Sequence, residues 1–229
     1  MLARSFRLLA PAFLLMIATA QPLHADTLNR SLETLSELNR IQPLQNPEYS
    51  TGEKLLDGRI LDRKNKVVGE LHDILLTPGG EVSSIAVEFN RLRLGAEVYL
   101  GSNELQINPV SNGYALGLDD DQIKDAYPEM LAGIESAAGN SDIFSVRKIV
   151  GANVKARDGR HLGTVDQVLF TGNGARAEAL YVAMKYGTLR GEGVAIPFGS
   201  ARIGYKNGQT SVLVGDDIAD SMIAIAKND

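Results

Sequence analysis

A chain of 229 residues, 44% hydrophobic and 22% charged, has ordinary globular composition and room for one or two domains. Its net charge of −5, with no block of clustered Lys and Arg, argues against nucleic acid and anionic membrane surfaces as partners, because phosphate contacts need such clusters. It has no cysteine, which excludes disulfides, thiolate metal sites, a thiol nucleophile and a lipidated N-terminal Cys.

Arg4 and Arg7 make a basic start, and the apolar run from Leu8 to Ala18 has signal-peptide length, too short to span a bilayer as a helix. Residues 1–25 are expected to be a signal peptide cleaved after Ala25, with Ala20 as the other small-residue site. Removing Arg4 and Arg7 leaves 21 basic against 28 acidic residues, a net charge of −7. No other stretch approaches the roughly 18 apolar residues of a membrane helix, so the mature chain is expected to be periplasmic and without a transmembrane segment.

Residues 26–50 read as a helix and linker. Leu28, Leu32 and Leu35 fall on one stripe, Leu38 comes next, and Asp26 or Thr27 can cap the start. Pro43, Pro47 and Gly52 separate this helix from the β-rich remainder of the chain.

The chain then repeats itself. "GRILDRKNKVVGELHDILLTPGGEVSSIAVEF" from Gly58 matches "ANVKARDGRHLGTVDQVLFTGNGARAEALYVAM" from Ala152. Arg63 falls on Arg157 and Gly69 on Gly163, while Leu71, Ile74 and Leu75 fall on Val165, Val168 and Leu169. One extra residue near the second Gly-rich turn brings Ile85-Ala86-Val87 onto Leu180-Tyr181-Val182. Val98-Tyr99-Leu100 then faces Val194-Ala195-Ile196, and Asn112-Gly113 faces Asn207-Gly208. The first copy is placed at 51–118 and the second, with its C-terminal helix, at 148–229.

Each copy reads as short strands between turns. Asn65-Lys66 and Asp158-Gly159 mark the first hairpin, where Asp-Gly favours a type I′ turn. Pro78-Gly79-Gly80 and Gly172-Asn173-Gly174 mark the second. Gly69 and Gly163 sit inside strand patterns, as at a bulge or tight bend. Between the copies, 119–147 reads as a helical linker capped by Asp119 or Asp120 and interrupted at Pro128, ending in the loop Gly139–Asp142. A final helix carries Ile218, Met222 and Ile225 on one face.

Few groups suggest chemistry. His72 and Asp73 are adjacent, so on a regular strand they face opposite sides and cannot act as a pair without a bulge. The second copy has Asp166 and Gln167 there. His72 and His161 lie in different copies and fit no zinc motif. Asp119–Asp121 and Asp216-Asp217 lack the spacing of a calcium loop and read as helix-start carboxylates. "GTLRGEG" from Gly187 lacks the order of a phosphate loop and reads as a mobile connection. Tyr181, Tyr186, Phe198 and Tyr205 are the aromatic group to watch for exposure.

The stretch "LLDGRILDRKNKVVGELHDILLTPGGEVSSIAVEF" resembles the PRC-barrel family, in its spacing of Gly69, Leu71, Asp73, Ile74 and Leu75. The second copy keeps Gly163, Val165, Val168 and Leu169 and adds "GVAIPF", like the family's Pro-containing segment; it has Gln167 in place of the Asp. The resemblance implies a mainly β chain of two tandem small barrels, used in binding or assembly. It implies no catalytic, cofactor-binding or metal-binding residue and no cofactor. The function so expected is that of an exported, non-enzymatic binding or scaffold protein with a protein partner; the alternative is a periplasmic small-ligand or metal-binding protein. The Leu28–Leu38 helix and the cleft between barrels are the expected contact surfaces.

Overall fold

The computed structural model describes residues 23–90, 97–101, 107–110, 113–132, 143–172, 174–206 and 208–228. The expected signal peptide lies almost wholly outside them, as do Asn112, Asn173, Asn207 and the loop 139–142. The chain is mainly β, with two mixed seven-stranded sheets and helices around them.

The order begins α1 (Leu23–Arg40), β1 (Tyr49–Thr51) and α2 (Gly52–Leu56). The first copy supplies β2 (Arg59–Leu61), β3 (Val67–Leu76), β4 (Val82–Phe89), β5 (Glu97–Gly101), β6 (Asn108–Val110) and β7 (Gly113–Ala115). Then come α3 (Asp120–Ala132), β8 (Phe144–Ser145) and α4 (Val146–Ile149). The second copy supplies β9 (Asn153–Ala156), β10 (His161–Thr171), β11 (Ala177–Tyr186), β12 (Leu189–Pro197), β13 (Ala201–Lys206) and β14 (Gln209–Val214), and α5 (Asp216–Ala226) ends the chain.

The two sheets have one topology. Their orders are β5-β4-β3-β2-β7-β6 and β12-β11-β10-β9-β14-β13. In each, the first and last strands of the copy pair in parallel, β2 with β7 and β9 with β14, and the described neighbours otherwise run antiparallel. Among the described residues the end strands of a sheet do not pair with each other, so the hydrogen bonding is that of open sheets.

The registers reproduce the alignment of the two copies. Gly69 stands opposite Phe89 and Gly163 opposite Met184. Val87 pairs with Val98 and Val182 with Val194; Ile85 pairs with Leu100 and Leu180 with Ile196. The two glycines share a cause. A Cβ on Gly69 would meet the Glu88 carbonyl oxygen at 2.6 Å, and one on Gly163 the Ala183 carbonyl oxygen at 2.1 Å. The neighbouring backbone leaves no room for a side chain.

Each sheet takes its seventh strand from the other copy's leader. β1, which precedes the first copy, pairs with β10 of the second. β8, which precedes the second copy, pairs with β3 of the first. A short helix comes after each leader, capped alike: Thr51 Oγ1 accepts from the Lys54 N–H and Ser145 Oγ from the Lys148 N–H. The helices meet, since a Cβ on Gly52 would lie 2.9 Å from Val146 Cγ1. The hairpin tips also pair, through Ala177 N–H to the Gly80 carbonyl at 2.8 Å and a bridge between Glu81 and Arg176. Tyr114 Oη donates to the Gly174 carbonyl at 2.9 Å, and burial pushes this phenol's pKa up. One hydrophobic core runs through both sheets, from Ile60, Ile74 and Leu100 to Val154, Val168 and Ile196.

Several local expectations need correction. The first hairpin turns are three-residue loops, not type I′: Ala156 N–H donates to the Arg160 carbonyl and Gly159 N–H to the Ala156 carbonyl. Only Gly159 has positive φ, at +92°, as in a type I turn closed by a left-handed residue. Asn65 fills that place in the first copy at +60°. Pro128 lies inside α3 without breaking it, and the flanking Ile123, Tyr127 and Met130 are buried, so packing holds the helix across the lost hydrogen bond. Leu189 to Gly193 belongs to β12 and is no loose connection; only Gly187-Thr188 turns, with Gly187 at +59° as a type II′ turn asks. The Asn-Gly pairs are not equivalent. The late hairpin has three-residue strands in the first copy and six-residue strands in the second, so Gly113 sits in β7 opposite Arg59 while Gly208 lies at the tip.

The expected N-terminal contact helix is already engaged. α1 packs on α5 and β12, with Leu35 fully buried and Leu32 against the core. It begins at Leu23, upstream of the expected Asp26 or Thr27 cap. Asn39 near its end pairs both ways with the backbone of β12: its Nδ2 donates to the Ala195 carbonyl at 2.9 Å and its Oδ1 accepts from the Ala195 N–H at 2.8 Å. The side chain thereby satisfies an open strand edge as another strand would.

Candidate functional site

A bulge lies where the His–Asp pair stands: Leu71 faces Val87 and Asp73 faces Ala86, leaving His72 as the extra residue. The second copy bulges at Asp166, between Val165 and Gln167. The bulge does not bring the pair into one unit. His72 Nδ1 lies 2.7 Å from Glu97 Oε1 and its Nε2 3.4 Å from Glu88 Oε2. Asp73 turns to α4: its Oδ1 accepts from the Ile74 N–H at 2.8 Å and the Arg147 N–H at 3.2 Å, and its Oδ2 from the Ser145 hydroxyl. The carboxylate fastens the exchanged leader to β3. In the second copy Gln167 Nε2 instead donates to Glu53 Oε2 of α2 at 3.0 Å, and Gln167 Oε1 is buried without a partner.

The other candidates are likewise dispersed. His161 Nε2 lies 2.9 Å from Asn153 Oδ1, at an exposed site. Asp119 caps α3 reciprocally with Gln122: the Gln122 N–H donates to Asp119 Oδ1, and the Asp119 N–H to Gln122 Oε1, each at 3.1 Å. That bond, with Arg63 at 2.8 Å, lowers the Asp119 pKa. Asp120 and Asp121 pair with Lys124. α5 is preceded by Gly215 rather than capped by Asp216 or Asp217. Asp216 accepts from the Asp158 N–H at 3.1 Å, and Asp217 accepts from the Ser31 hydroxyl of α1 at 2.6 Å. Among the described residues no group of three or more His, Asp or Glu is placed to hold a metal.

The aromatic group separates as well. Phe198 is buried, Tyr186 packs on the core, and Tyr181 covers Gly193, where a Cβ would fall 1.8 Å from its hydroxyl oxygen. Tyr205 is 60% exposed, with Lys148 Nζ 5.2 Å from its ring centroid.

Two clefts remain. The first, of about 520 Å³, lies where α1 ends beside β11, β12 and the end of α5; Asn39, Arg40, Gln42, Tyr181, Gly193 and Asn228 line it. The second, of about 390 Å³, lies between the copies. Pro78 of the β3–β4 tip and Phe144 of β8 form one side, and Ala201, Arg202 and Ile203 of β13 the other, with Leu213 and Arg157. Sequence reading missed the roles of Arg157 and Arg202. The signal available was the alignment of Arg157 with Arg63, which reveals its value only when their partners are compared.

No family model matches the chain, and no curated protein matches it. Among solved structures, a 16S ribosomal RNA processing protein RimM from Pseudomonas aeruginosa aligns over 66% of this chain and 98% of its own, at 18% identity and a TM-score of 0.24. A likeness this low supports no argument about this chain.

Proposed function

We propose that this chain is an exported, non-enzymatic binding or scaffold protein of the bacterial envelope, built from two modules of the PRC-barrel type. Residues 1–25 act as a cleaved signal peptide and the mature chain works in the periplasm. The observation that carries the reading is the use of its polar groups. His72, Asp73, Asp119 and Asp217 are each bonded to another element of the fold, and none converges with the others on a cleft. Such an arrangement favours a surface that holds a partner over a centre that transforms a substrate. The test is crosslinking in intact cells, with the captured chains identified by mass spectrometry. A reproducible envelope protein partner is expected; capture of none, with turnover of a substrate by the purified chain, would overturn the reading.

A second reading, binding of a small periplasmic ligand, draws on the 520 Å³ cleft at the end of α1. A thermal-shift screen separates the two, since a ligand that binds only the folded chain raises its melting temperature.

A further inference from the structure

We infer that the cleft between the copies is a docking groove for an extended, acidic peptide segment of a partner protein, which adds as a strand to the outer edge of β13. The inference rests on the binding-protein reading and names the partner's chemistry.

The first observation is an open edge. β13 ends its sheet, and among the described residues no strand pairs with its outer side. The opposite edge, β12, has its Ala195 backbone groups satisfied by Asn39. An exposed edge is a template for an incoming strand, with main-chain bonds giving affinity and side-chain pockets giving selectivity. The groove beside β13 is about 390 Å³ and has apolar walls in Pro78, Phe144 and the 38%-exposed Leu213.

The second observation is charge, and the duplication supplies an internal control. In the first copy Arg63 is neutralised by Asp119, with Nη2 and Oδ2 2.8 Å apart. The helix that follows each copy starts from Asp119 in the first and from Gly215 in the second, so the carboxylate that holds Arg63 has no counterpart at that place, and Asp216 and Asp217 come next. Asp217 is bonded to Ser31 of α1. Arg157, the counterpart of Arg63, is exposed and lines the groove, and among the described residues it has no acidic partner. Arg202 is in the same position. Cross-strand pairing sets Arg202 beside Leu213 and Leu213 beside Lys155, a basic row with an apolar centre. Two unpaired guanidinium groups on a chain of net charge −5 call for an anion, and planar guanidinium suits carboxylates. Farther along β13 a strand would pass Tyr205 and Lys148.

The experiment selects decapeptides from a random phage-displayed library on the chain purified from the envelope, then measures binding by fluorescence anisotropy. Selected peptides are expected to carry two or more Asp or Glu among β-branched residues and to lack central Pro. Binding should fall at least tenfold in the double variant R157E/R202E, which should melt with the wild type because both side chains are exposed. Hydrogen exchange of the β13 amides should slow on binding. Peptides without acidic bias, or with affinity unchanged in the double variant, would overturn the groove while leaving a binding role intact. So would an empty selection alongside a partner crosslinked in cells. Polyglutamate or heparin binding as tightly as the selected peptides would overturn strand addition.

Discussion

The two copies share a backbone plan and differ in what they do with it. Where they agree, as at Gly69 and Gly163, the cause is steric: a neighbouring carbonyl fills the place of a side chain. Where they differ, one copy has been turned to another element. Asp73 holds α4 where Gln167 reaches α2, and Asp119 caps α3 and holds Arg63 where α5 starts from Gly215. The tyrosine of the central cross-strand pair has even changed strands, Tyr99 opposite Ala86 in one copy and Tyr181 opposite Ala195 in the other. A duplication thus separates what the sheet requires from what the chain has added.

The largest effect is expected at the shared glycines. Gly163→Ala drives a Cβ into backbone at 2.1 Å, against 2.6 Å for Gly69→Ala. Overpacking against a rigid carbonyl should cost about 3 kcal/mol in the second copy and about 2 in the first, read by urea denaturation. Equal or negligible losses would show that the strands are not held as closely as described.

Next in size are the differing positions. Asp73→Ala removes acceptors for Ser145 and Arg147 and should cost about 2 kcal/mol, whereas Gln167→Ala should cost about 0.5, since one of its amide atoms has no partner. Gln167→Asp should destabilise by about 1 kcal/mol through repulsion with Glu53, and adding Glu53→Gln should restore most of the loss. Asn39→Asp keeps the acceptor for the Ala195 N–H but sets a carboxylate against the Ala195 carbonyl, and should cost about 2 kcal/mol by thermal unfolding.

The smallest effect is a pH dependence. The Asp119 carboxyl is held below its ordinary value, first by the Gln122 backbone N–H and then by Arg63 and Lys64. A depressed folded pKa means that its stabilisation is present above the unfolded value and is lost as pH falls through the folded one. NMR titration should find Asp119 below the usual aspartate range, and removing the charge with Arg63→Ala should raise it; an unmoved titration would separate Arg63 from the cap.

Most of this repeat was legible because glycines and alternating apolar residues carry register directly: Ile85 and Leu180, aligned by sequence, occupy matching ladder positions. Turn types were less legible, since Asp158-Gly159 is compatible with two loop geometries and the strand stagger decides between them. The strand exchange was hidden because β1 and β8 are three and two residues long, too short for any periodicity. Its trace was the capped pair Thr51-x-x-Lys54 and Ser145-x-x-Lys148, lying just upstream of the aligned stretch. The groove could not be read at all, because Arg157 and Arg202 meet only through tertiary pairing.

Reciprocal leaders, touching hairpin tips and one core should join both copies into a single cooperative unit. Hydrogen exchange across a denaturant series tests it directly, by tracking amides of β3 and β4 beside those of β10 and β11. Both sets should merge into one opening transition with a common slope and free energy. Two separate transitions, one for each copy, would contradict it.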